Sequence, residues 1–219
     1  MLIDYSEQEW LHDPALCTAD AYLQKQFRKM RLMGCGCCRM VWQLIDDDRG
    51  RSVVEVAEQF ADGLVTEERL LEENRIAYQL TRQIGLQKDM REGALYTAIQ
   101  TLTEPDDPEN HPGDTTVGII YNHVVPEVDS WLVAPIEEII RDIFGNPFRP
   151  ITFNPVWLTS TVKALAQTAY EDRRFDLLPI LADALEEAGC DSADILDHCR
   201  TFPGHVRGCW VVDQILGKA

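Results

Sequence analysis

A chain of 219 residues, 45% hydrophobic, can bury one sizeable core or two smaller ones without a metal or a disulfide to hold it together. Its formal charge of -17, from 37 Asp and Glu against 20 Lys and Arg, argues against direct contact with nucleic acid or an anionic membrane surface, since both attract clustered cations. Seven cysteines, an odd count with Cys35, Cys37 and Cys38 crowded together, fit a reducing cytoplasm rather than a disulfide framework.

Met1-Leu2-Ile3-Asp4-Tyr5 lacks the basic start and apolar run of a secretory leader, and no apolar stretch reaches the roughly 18 residues that span a bilayer. Ser6 and Glu9 have capping-box spacing, which predicts a short helix that stops before Pro14. Thr18 opens a longer one. From Leu23, the residues Phe27, Met30, Gly34, Cys37, Val41 and Leu44 recur at steps of four and three, and Cys35, Cys38, Trp42 and Ile45 form a second stripe. That width predicts a central helix touched from two sides, with Gly34 and Gly36 admitting a close neighbour.

Asp46-Asp47-Asp48-Arg49-Gly50 reads as a turn, after which Ser52 caps a helix that ends at Gly63. Thr66 starts the next, with Glu67 and Glu68 favourably placed in its first turn, and it runs to Gly85. A helix over 87–102 follows. Glu104 to Asp114 is rich in Pro, Asp, Asn and Gly and reads as an exposed loop. The helical pattern of 119–144 is interrupted by Pro126 and Pro135 and halted at Gly145-Asn146-Pro147. Thr159 or Ser160, then Asp176, then Ser192 cap three further helices, the second closed by Gly189. Pro203-Gly204 precedes a last helix bearing Val206, Trp210, Val211 and Ile215 and ended by Gly217.

These elements predict an all-α protein, either a multi-helix globular bundle or a short solenoid-like array. Two helical regions, 1–103 and 115–219, flank the 104–114 loop or form one continuous domain.

Recognisable catalytic signatures are missing: there is no G-x-x-x-x-G-K-[ST], H-E-x-x-H or G-x-S-x-G. Cys35-Gly36-Cys37-Cys38 contains a C-x-x-C, yet it falls inside a helix, where small polarizable thiols serve as packing. Glu9-Trp10-Leu11-His12 is a single E-x-x-H, and a di-iron bundle needs two. Asp46-Asp47-Asp48 offers oxygen ligands to a hard cation, but a polar turn just before a capped helix accounts for it. The sharper metal hypothesis is Cys190, His198, Cys199, His205 and Cys209, whose thiolates and imidazoles suit zinc if the last two helices fold together. Against it, the spacing matches no standard zinc module, and Asp194 with His198 at i, i+4 can simply pair. Asp176 to Asp197 holds seven carboxylates and no Lys or Arg, a solvated face or a mimic of nucleic-acid phosphates.

Phe144, Phe148, Trp157 and Trp210 are predicted to pin the irregular 145–157 segment against the C-terminal helices. Arg39-Met40-Val41-Trp42 after a cysteine-rich helix, Arg141-Asp142-Ile143-Phe144-Gly145-Asn146-Pro147-Phe148-Arg149-Pro150, Leu178 to Cys190, and His205-Val206-Arg207-Gly208-Cys209-Trp210-Val211-Val212-Asp213 together resemble an uncharacterised bacterial family found as paralogues in planctomycetes. The resemblance covers about the first 70 and the last 80 residues and implies one bacterial intracellular protein. It transfers no catalytic or ligand residue. The middle departs from the family's Ala- and Trp-rich segment, which is where partner specificity would lie.

The leading functional expectation is a non-enzymatic interaction or regulatory protein that presents an acidic surface to a protein partner, with no cofactor. The alternatives are a zinc protein or metal-dependent enzyme built on the C-terminal Cys/His cluster, and a nucleic-acid mimic.

Overall fold

The computed structural model describes residues 5–14, 25–85, 90–106, 112–124, 133–202 and 204–218. Its amino-terminal capping box forms as the spacing requires: Ser6 Oγ accepts from Glu9 N at 3.2 Å and Glu9 Oε2 accepts from Ser6 N at 2.7 Å, opening α1 (Glu7–His12). Among the described residues every regular element is helical, so the protein is all-α. The chain divides into two compact units, Met1–Ile140 and Arg141–Ala219. That division falls well beyond the 104–114 segment that composition had singled out. The helix expected to open at Thr18 lies outside the described residues.

In the first unit α2 (Phe27–Met40) is central, with every residue from Met30 to Cys38 buried. Its two apolar stripes meet α3 (Asp48–Ala61) and α6 (Pro112–Ile119). Gly34 has the predicted role: a Cβ there would stand 2.8 Å from Leu102 Cδ2 and 3.0 Å from Gly113 Cα. A Cβ on Gly113 would in turn overlap the Met30 carbonyl, so the two backbones touch through paired glycines.

Two arginines, one buried and one partly exposed, complete the unit. Arg31, 1% exposed, donates to Leu102 O, to Glu104 O at 3.0 Å and to Asp106 Oδ1 at 2.6 Å. It thereby satisfies carbonyls left open just beyond α5 (Met90–Thr101). Arg39 grips the buried Glu58 carboxylate at 3.1 and 2.9 Å and lies 3.9 Å above the Trp42 ring.

Two boundaries differ from expectation. The helix assigned to a Ser52 cap begins at Asp48, because Asp47 Oδ1 accepts from Arg49 N at 2.8 Å and Gly50 makes room for the Tyr96 ring. Asp46-Asp47-Asp48 is therefore a helix start, not a turn before one. The two ends of the 104–114 segment differ from the expected exposed loop, since α6 opens at Pro112 and buries Gly113 while Arg31 ties down Glu104 and Asp106; residues 107–111 lie outside the described residues. Thr66 and Gly63 behave as read: Gly63 turns left-handed at φ 68° after α3, and Arg69 N donates to Thr66 Oγ1 at 3.4 Å in α4 (Glu67–Gly85). α6 continues as a π turn over Ile120–Val124, and α7 spans Val133–Phe144.

The second unit holds α8 (Ser160–Glu171), α9 (Leu178–Glu187), α10 (Ala193–Thr201) and α11 (Trp210–Leu216). Their apolar faces form one core around Val162, Tyr170, Leu181, Leu185, Val211 and Ile215. Thr159 Oγ1 caps α8 through Val162 N at 3.3 Å, and Gly145, Gly189 and Gly217 all take positive φ where a helix must stop. Trp157 Nε1 donates to Gly189 O at 3.1 Å, Trp157 packs on the core of these helices and Gly145 lies against the Trp210 ring, so of the four aromatics expected to pin 145–157 Trp157 and Trp210 do so. Asp176 does not cap α9. Arg174 takes both its oxygens at 2.8 Å, and a 3-10 turn over Phe175–Leu177 leads into the helix instead.

Candidate metal centre

Helix geometry brings the donors together. Asp142 lies three residues after Ile139 and two before the end of α7, so it shares the buried stripe of Ile136, Ile139 and Ile143 and is 0% exposed. His198 sits in the last turn of α10. The break after Thr201 ends that helix, and the chain returns through His205 to Cys209, which is the N-cap residue of α11. Val206, expected inside that last helix, instead donates its backbone N–H to Asp142 Oδ2 at 2.8 Å, which delays the helix to Trp210.

The result is four donor atoms from Asp142, His198, His205 and Cys209, all within 4.8 Å of one another. Asp142 Oδ1 stands 2.7 Å from His205 Nδ1 and 3.1 Å from His198 Nε2. Cys209 Sγ stands 3.4 Å from His198 Nε2 and 3.7 Å from His205 Nδ1. Around a tetrahedral zinc, bonds of about 2.0 Å to N or O and about 2.3 Å to S imply edges of about 3.3 Å between N and O and about 3.5 Å between N and S. The two N–S separations bracket their edge, whereas both N–O separations are shorter than theirs and stand at hydrogen-bond length, so a bound ion requires the carboxylate to draw back by a few tenths of an ångström.

The setting is buried and aromatic. The His198 ring stacks on Phe202 at 5.4 Å, lies 5.2 Å from Trp210 and meets His205 edge-on at 4.9 Å. Burial pushes the Asp142 carboxyl up, but hydrogen bonds from His198 and His205, with their charges, outweigh it and hold the group below the ordinary carboxylate value. Burial first, and then the Asp142 charge, push the Cys209 thiol well above its ordinary value, so it keeps its proton unless a cation arrives. His205 Nε2 is buried with no hydrogen-bond partner.

Of the five residues read from the sequence, the structure brings together His198, His205 and Cys209. Cys190 and Cys199 stay outside this group as buried free thiols, Cys199 pushed up to about 12 by burial. Asp142, which spacing did not suggest, takes their place from 63 residues before His205. The sequence carries little signal for it, because Asp142 stands among Glu137, Glu138 and Arg141 in 136–144 and only packing shows which of these charged residues is buried. His198 turns to this residue rather than to Asp194.

The other candidates resolve into structure. Cys35, Cys37 and Cys38 are buried free cysteines, and burial pushes Cys37 up to about 12 and Cys38 well above its ordinary value, which is inert packing chemistry. Glu9 is engaged by Ser6, Asp47 by Arg49 and Asp48 by Arg51. No protein-family model, curated protein or solved structure matches the chain.

Proposed function

We propose that the protein binds one divalent transition-metal ion, zinc by the character of its donors, through Asp142, His198, His205 and Cys209. The observation that carries this reading is the mutual closeness of the two imidazole nitrogens and the thiol sulfur, at 3.4 and 3.7 Å. Once the thiol is deprotonated and both imidazoles are neutral, each group presents a lone pair to the space between them, which is what a cation requires. Two imidazoles, a thiolate and one carboxylate suit a borderline-soft ion, whereas calcium and magnesium require mainly oxygen ligands.

Around this centre the acidic helical surface serves a non-enzymatic interaction role with a protein partner. Asp183 and Glu186 are both held by Arg200, and Asp176 by Arg174. Those arginines interrupt the row of bare charges that mimicry of nucleic acid would need, which favours a protein partner over the mimic.

Metal analysis of protein purified without a histidine tag tests the site: one zinc per chain is expected, lost in His205→Ala and Cys209→Ala and kept in Cys190→Ala. A folded wild-type chain that carries no metal, and takes none up when zinc is added, refutes the reading in favour of a hydrogen-bonded hub on Asp142.

A further inference from the structure

Resting on that metal-binding reading, we infer that the centre is closed and structural: the ion ties the segment between α10 and α11 to Asp142 and leaves no position for substrate or water. Zinc in structural sites takes four protein ligands, and in catalytic sites three plus a water. Here the chain itself supplies four. The side chains of Asp142 and His205 are 0% and 4% exposed, that of His198 is 12% exposed, and Cys209 as a residue is 0% exposed. The second oxygen of Asp142 already accepts from Val206 N, which fixes the carboxylate as a one-oxygen ligand. Phe202 and Trp210 cover the His198 ring.

Besides the ion, the segment is held by Val206 N on Asp142, by Cys209 N on Val206 O and by the Arg207 guanidinium against Tyr170, and the ion would add the tie at Cys209. Val206 N is given to Asp142, Gly208 takes φ 99°, and Cys209 makes no side-chain cap to α11. α11 is seven residues long, too short to persist by helix propensity, so its place depends on its buried face and on what anchors Cys209. When ligands assemble only in the folded chain, metal affinity becomes folding free energy. The ion therefore acts as a staple at the start of α11, and its loss releases residues 202–216 before the remainder of the unit.

The test uses the full-length chain, stripped with a chelator and reloaded with zinc or with cobalt(II). Hydrogen exchange should quicken by at least about tenfold across 198–216 in the stripped chain and recover on adding zinc. Cobalt(II) should give intense tetrahedral d–d bands with a thiolate charge-transfer band, both unmoved by added azide. In Cys209→Ser the charge-transfer band should vanish while the d–d bands persist. A stoichiometric ion with a weak, six-coordinate cobalt spectrum, or with bands that shift on azide, overturns the closed centre while leaving metal binding intact. Unchanged exchange after stripping overturns the staple in the same way. Failure to take up any metal removes the underlying reading and this inference with it.

Discussion

Side-chain volume and donor count decide the chemistry of single positions here. At Gly113 the space that a Cβ needs is occupied by backbone, the Met30 carbonyl, which has no rotamer to give. Gly113→Ala should therefore lose about 1–3 kcal/mol in urea unfolding. Gly118→Ala, on the same helix with nothing within 4 Å of its Cβ, should be neutral or gain up to about 1 kcal/mol from its better helix propensity. Arg31→Met keeps the stem of the buried side chain but removes the donors to Leu102 O and Glu104 O, and should cost about 2–3 kcal/mol by the same measurement. None of these partners adjoins Arg31 in sequence. The cationic charge was legible, but its burial was not, because burial depends on a helix end about seventy residues away.

Helix ends were the most legible elements, since a cap is a local contract between neighbouring residues. Thr159 and Ser192 were both read as caps, and both stand at N-cap positions, yet only Thr159 makes the side-chain bond. Thr159→Ala should accordingly cost about 1 kcal/mol of stability and Ser192→Ala only a few tenths, a difference that thermal unfolding of the two variants will resolve. Where reading failed, a side chain was taken by something nearer or something distant. Asp176 was drawn to Arg174, which handed the start of α9 to a 3-10 turn. Val206 gave its N–H to Asp142, which shortened α11 by its expected first turn.

The whole chain falls into two units, each with its own core, and the metal centre belongs to the second. Stripping the ion should thus leave the exchange protection of α2 to α4 unchanged while protection falls in α10 and α11; equal loss across both units would contradict a local staple. Within the second unit, Leu181→Ala removes a fully buried side chain and should cost about 2–5 kcal/mol, seen as lower denaturant midpoints without loss of bound zinc in the folded protein.

The sequence by itself determined the helical class, the central cysteine-rich helix and the glycines that stop helices. Each of these follows from periodicity or from φ preferences acting over a few residues. It also marked His198, His205 and Cys209 as chemically distinctive without saying which would meet. Only the tertiary structure decided that, because convergence of ligands is a property of distances through space. It set Cys190 and Cys199 aside as buried thiols and recruited Asp142, a carboxylate whose place on the buried stripe of α7 turns it toward the returning chain.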